Sequence, residues 1–165
     1  MKIGCIVMAA GNARRFGSNK LDARVEGKTL LRRALEAVPA ACFDRVAVVT
    51  QYPRGMDLAR EMGFLPVENP RPDLGLSHTI ALGMAHMQDM DGVMFQVSDQ
   101  PLLRRESLEA MVRDFHAQKE TERVILRLGW RAGGAEPLLE SPVLFGSGHF
   151  DALRALPEGK GGGVV

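Results

Sequence analysis

A chain of 165 residues suffices for one domain with a proper core and hardly for two. Its composition, 45% apolar and 25% charged, is that of an ordinary globular protein, and a net charge of +1 exerts no global pull on nucleic acid or an anionic membrane. Two cysteines, Cys5 and Cys42, supply no disulfide framework. No leader-like segment precedes the first apolar run, and no run approaches the ~20 residues of a membrane span, so the expectation is a cytoplasmic protein with neither nucleic-acid nor membrane partner.

Strand-like and helix-like patterns alternate along the chain, which predicts an α/β fold. Lys2 to Met8 reads as a buried first strand. Leu30 to Val38 carries a helical stripe, Leu30, Leu31, Ala34, Leu35 and Val38. Arg45 to Thr50 is a second buried strand, Met56 to Met62 a short helix, and Leu65 to Val67 a third strand. Glu68 to Gly75 is a proline-rich loop, after which Ser77 opens and caps a helix that runs to about Gln88. Asp91 to Val97 is a fourth strand ending in the loop Ser98-Asp99-Gln100-Pro101. Leu108, Met111, Val112 and Phe115 mark a further helix. Arg123 to Leu128 is a fifth strand, 129–140 is irregular, Pro142 to Phe145 is a short strand, and Phe150 to Leu156 a short helix.

The stretch Met8-Ala9-Ala10-Gly11-Asn12-Ala13-Arg14-Arg15-Phe16-Gly17-Ser18-Asn19-Lys20 follows the first strand directly. Small residues let a backbone approach a ligand and turn its amides towards an anion, and Arg15 and Lys20 add fixed positive charge. The spacing is neither a Walker A loop nor the dinucleotide fingerprint G-x-G-x-x-G. It suits a cradle for a triphosphate. In an open parallel sheet, ligands bind beyond the carboxyl ends of the strands, so Asp99, after strand four, would share an edge with this loop if strands one and four are neighbours. One carboxylate beside a triphosphate is a common way to hold Mg²⁺, and Asp is equally a turn residue. The free amides of Gly75-Leu76-Ser77 at a helix start can read a base edge or an anion, or form an ordinary capped turn, and Asn69 and Pro70 could shape a base pocket. His78, His86, His116 and His149 have no metal-ligand spacing, and nothing supports a covalent nucleophile.

Four stretches together resemble one family: Met8-Ala-Ala-Gly with Arg15-Phe-Gly and Lys20; Gly75-Leu-Ser77 with Gly83-Met84; Ser98-Asp-Gln-Pro101; and Ser141-Pro-Val-Leu-Phe145 followed by Phe150, Leu153 and Leu156. They look like molybdenum cofactor cytidylyltransferase, within the molybdopterin-nucleotidyltransferase-like group. The resemblance implies a Rossmann-like three-layer αβα fold with a mostly parallel sheet, similar to nucleotide-diphospho-sugar transferases. It implies a Mg-dependent enzyme that moves CMP from CTP to the phosphate of molybdopterin cofactor and releases pyrophosphate, with a molybdoenzyme as a candidate partner. Carried over, Gly11, Arg15, Gly17 and Lys20 hold the triphosphate, Ala9 and Ala10 approach base and ribose, Gly75 and Ser77 lie near the cytosine, and Asp99 binds the metal; Arg15, Lys20 and Asp99 carry the chemistry. The sister guanylyl branch usually has two glycines where this chain has Ala10-Gly11. Ala13 stands where the family often has Ser, and Lys160 where it often has an acid. The family usually continues into another strand with a second metal carboxylate. The expectation is therefore one NTP transferase-like domain over 1–165, C-terminally incomplete relative to the family, or a substitute ligand among Asp73, Glu136 and Asp151. A guanylyl or sugar-phosphate transferase and a non-catalytic nucleotide-binding accessory protein are the competing readings.

Overall fold

A computed structural model of the chain describes residues 1–10, 24–25, 27–98, 100, 103–130, 138–162 and 165. Its centre is β1 (Ile3–Ala9), whose unbroken apolar run is explained by neighbours on both sides and both faces. On one side it pairs in parallel with β4 (Arg45–Thr50), from Gly4 opposite Arg45 to Ala9 opposite Thr50. On the other it pairs in parallel with β6 (Gly92–Val97), from Ile3 opposite Gly92 to Met8 opposite Val97. β5 (Leu65–Glu68) extends the parallel part beyond β4. β8 (Leu138–Gly146) lies antiparallel to β6, and β7 (Ile125–Trp130) antiparallel to β8. The order is β5-β4-β1-β6-β8-β7, a mostly parallel six-stranded sheet. A separate small hairpin joins β2 (Arg24–Val25) to β3 (Lys28–Thr29) through Gly27, at φ 81°.

Alternation along β1 divides the core into two layers. Ile3, Cys5, Val7 and Ala9 pack on one face with α1 (Leu30–Glu36) and α4 (Arg105–His116), whose Leu31, Leu35, Leu108, Met111 and Phe115 are buried there, while α2 (Pro53–Glu61) adds Ala59. Ile6 faces the other layer, where α3 (Leu76–Met84) and α5 (Phe150–Arg154) bring Ile80, Met84, Phe150 and Leu153. The expected three-layer αβα architecture is thus present. Gly83 lets α3 sit against β1, because a Cβ there would lie 2.8 Å from Ile6 Cγ2. Thr29 caps α1, its hydroxyl accepting the Arg32 amide at 3.1 Å.

Three elements differ most from their sequence reading, the helix after the proline-rich loop in two respects. The helix expected to reach Gln88 ends at Met84, yet Met87 and Met90 stay buried in the turns that follow, so an apolar rhythm continued where the helix did not. Ser77 does not cap that helix; the cap position is Gly75, with φ 80° and no side-chain bond. The fifth strand starts at Ile125, because Thr121–Arg123 form a 3-10 turn. The short Pro142–Phe145 strand is the end of the nine-residue β8, whose partners shift register on β7 between Arg127 and Leu128. β2 and β3 carry no sequence signal beyond the Gly27 turn.

Candidate functional site at the carboxyl edge of the sheet

β1 and β6 are adjacent and parallel, so the segments that begin at Gly11 and at Ser98 leave neighbouring strand ends on one edge. That meets the condition on which the sequence reading of Asp99 depended. Gly11, Arg15, Gly17, Lys20 and Asp99 themselves lie outside the described residues. Ala9 and Ala10 are described and buried, at the point where β1 leaves the sheet.

Two side chains that sequence reasoning assigned no role hold this exit. Ser98 Oγ donates to the Met8 carbonyl at 3.0 Å, from the β6 side. Gln51 Nε2 donates to the Ala10 carbonyl at 3.0 Å, from the end of β4, and lies 3.2 Å from the Tyr52 hydroxyl. Ser98 was visible in a motif and Gln51 merely follows an apolar run; neither partner is legible without the strand order. Further along the edge, Gln100 Nε2 donates to the Ser141 carbonyl at 3.0 Å. Gln100 Oε1 and Ser141 Oγ, both buried, find no hydrogen-bond partner among the described residues.

Gly75 and Ser77 stand at the start of α3, and the chain's glycine-rich end packs on them. The Gly159 amide donates to Ser77 Oγ at 3.2 Å, and a Cβ on Gly75 would lie 3.2 Å from Gly159 Cα. Lys160 follows in the same turn, exposed. Ser77 is therefore shared between the α3 start and the terminal turn. Asn69 is 1% exposed. It braces the loop, donating to Thr79 Oγ1 at 3.1 Å and accepting the Arg71 amide at 2.9 Å.

Two of the three substitute carboxylates are described, and both are engaged. Arg71 holds Asp73 through two bonds, of 3.0 and 2.9 Å, and this pairing lowers the Asp73 pKa. Asp151, on α5, accepts from Arg154 at 3.2 Å. Glu136 lies outside the described residues. Among the described residues no group of three or more His, Cys, Asp or Glu could hold a metal. Burial pushes the Cys5 thiol up to about 12, which excludes it as a nucleophile near neutral pH.

A mostly parallel αβα sheet whose central strands β1 and β6 end side by side defines a doubly wound α/β protein. The chain belongs to the MobA-like NTP transferase domain family, which matches residues 5–165. It is 27% identical over 134 residues to a probable molybdenum cofactor guanylyltransferase of Thermococcus sibiricus, covering 81% of this chain and 65% of that protein. It is 34% identical over 116 residues to the bifunctional protein GlmU of Azorhizobium caulinodans, covering 63% of this chain and 25% of that one. The chain thus spans less than two thirds of the length of either relative. A nucleotidyl transferase structure from Methanothermobacter thermautotroptrophicus superposes with a TM-score of 0.73 at 20% identity, covering 96% of this chain and 78% of the other. A cytidylyltransferase structure from Leptospira borgpetersenii gives 0.68 at 19%, covering 96% and 66%. These structures share the fold. No helix among the described residues is long and apolar enough to cross a membrane.

Proposed function

We propose that the protein is a Mg-dependent nucleotidyltransferase that moves CMP from CTP to the phosphate of molybdopterin cofactor and releases pyrophosphate. The observation that carries this reading is the parallel register of β1 and β6, with Met8 opposite Val97, which starts the basic glycine segment and the Asp99 segment side by side. Family membership supports nucleotidyl transfer in general. The cytidylyl choice rests on Ala10-Gly11, Gly75-Leu76-Ser77 and Asp99-Gln100-Pro101.

In this reading Gly11 and Gly17 let the main chain close on the triphosphate, and Arg15 and Lys20 bind its oxygens as they gain charge. Ala9 and Ala10 lie under base and ribose, and Gly75 and Ser77 border the cytosine. Asp99 holds Mg²⁺, an oxygen-seeking ion that one carboxylate, phosphate oxygens and waters satisfy. Asp73 and Asp151 are each paired with an arginine, and the assignment of the metal rests on Asp99 as the motif residue after β6. When bound, the metal neutralises phosphate charge; the chain's own part is to position donor and acceptor, with no covalent enzyme intermediate.

The test is pyrophosphate release from CTP, with molybdenum cofactor set against glucose 1-phosphate as acceptor. Release that requires the pterin acceptor is expected; release with glucose 1-phosphate alone would move the protein to the sugar-phosphate transferases. A guanylyl reading is favoured by the name of the Thermococcus relative, and GTP in place of CTP in the same assay decides it.

A further inference from the structure

We propose that the terminal turn is a strap buckled over the start of α3, and that it shields Ser77 from a ligand until it lifts. Both ends of the strap are anchored in the core. Before it, Leu153 and Leu156 pack in the layer of Phe145 and Phe150. After it, Gly162 lies flush on Phe145, where a Cβ would stand 3.1 Å from Cζ, and Val165 packs against the same layer. The middle is held differently. Pro157, Glu158, Gly159 and Lys160 are all exposed. The Lys160 amide donates to the Pro157 carbonyl at 3.0 Å, so the turn closes on itself and keeps its shape when it moves. Its ties to α3 are the neutral bond from the Gly159 amide to Ser77 Oγ, at 3.2 Å, and two close approaches, Gly159 to Gly75 and Gly161 to Leu76. A segment with so little buried apolar surface opens locally without unfolding the sheet. Beneath it Ser77 is 8% exposed, with Gly159 as its hydrogen-bond partner. A ligand that reads the Ser77 hydroxyl must therefore take the place of Gly159, which makes the closed strap an autoinhibitory contact.

The shielding of a nucleotide rests on the function proposed above; the opening of the strap does not. The experiment therefore has two arms. Gly159 has φ 75°, and nothing lies within 4 Å of a Cβ there. Gly159→Ala thus weakens the closed strap by backbone strain alone, without a clash. Ser77→Ala removes the acceptor of the buckle. In the first arm, amide exchange at position 159 is followed by NMR without nucleotide and corrected for the intrinsic rate, with Val48 and Met94 in the sheet as references. Exchange at 159 should quicken about fivefold in either variant while the references keep their rates. In the second arm, the Kd for CTP with Mg²⁺ is compared in wild type and Gly159→Ala. A strap that must open first lowers affinity by the open fraction, so the Kd should fall by the same factor by which exchange rises. Unchanged exchange at 159 overturns the proposal, as does a rise shared by Val48 and Met94, which marks loss of fold. Faster exchange at 159 with an equal or weaker Kd overturns the shielding and leaves the proposed function intact. Faster exchange with no CTP binding in either protein removes the proposed function and the shielding with it, and leaves the opening strap standing.

Discussion

The two edges of the same sheet are built in opposite ways. At the amino edge the strand starts are tied by charge and main chain together. Asp91 accepts the Lys2 amide at 2.6 Å and returns its own amide to the Lys2 carbonyl at 2.7 Å. Asp44 accepts the Ile3 amide at 2.9 Å and donates to the Ile3 carbonyl at 2.8 Å. Arg45 reaches the His86 carbonyl at 2.6 Å and Asp89 at 2.8 Å. At the carboxyl edge, the described residues that end β1, β4 and β6 are Ala9, Ala10, Thr50, Gln51, Val97, Ser98 and Gln100, with no carboxylate among them. Glu68, which ends β5 opposite Thr50, is the described carboxylate at the strand ends of this edge.

The comparison breaks most sharply at the carboxyl edge. Asp99→Ala should lower Mg-dependent turnover at least about a hundredfold while the melting curve stays that of wild type. Turnover like that of wild type would remove the metal assignment. Lys20→Ala should raise the KM for CTP about tenfold or more, the scale of a lost charge-assisted hydrogen bond.

Smaller effects on function, and larger ones on stability, are expected away from that edge. Gly146 ends β8 beside the Thr121 and Glu122 main chain, where a Cβ has no room. Gly146→Ala should cost about 3 kcal/mol in denaturant unfolding, the upper range for overpacking. Asp44→Ala removes an acceptor from a half-buried amide and should cost about 1–2 kcal/mol with nucleotide KM unchanged. Acid should act on the amino edge. The bond from Arg45 holds the Asp89 carboxyl below its ordinary value of 3.8, so its contribution is complete above that value and lost as pH falls through the lowered one. A melting temperature that falls below pH 4 in wild type, and falls less in Asp89→Asn, is the expected pattern. Cys5, with its thiol pushed up to about 12, should resist iodoacetamide at pH 8 in the folded protein, while the half-buried Cys42 is alkylated faster by mass spectrometry.

What could be read from the residues follows from where the burial lies. β1, β4 and β6 are buried on both faces, so their runs Ile3–Ala9, Arg45–Thr50 and Gly92–Val97 announce themselves. β8 has Glu140, Ser141 and Pro142 at its centre, and polar and proline positions mask a strand whose pairing is antiparallel and shifted. Met87 stays buried beyond the end of α3 because its side chain fills the space beside Gly4, a tertiary demand that periodicity mistook for helix. The shared edge of β1 and β6 was foreseen as a condition, because motif residues follow both strands. Gln51 was not, since a glutamine after a strand acquires meaning only when the neighbouring strand's carbonyl is known to reach it.

Nucleotide preference tests the central claim most directly. Melting temperature is measured with CTP, GTP and ATP, each with and without Mg²⁺. The account predicts the largest rise with CTP and Mg²⁺ together, about 5–10 °C at a hundredfold excess over Kd. A larger rise with GTP would transfer the protein to the guanylyl branch, and no rise with any of the three would contradict the account.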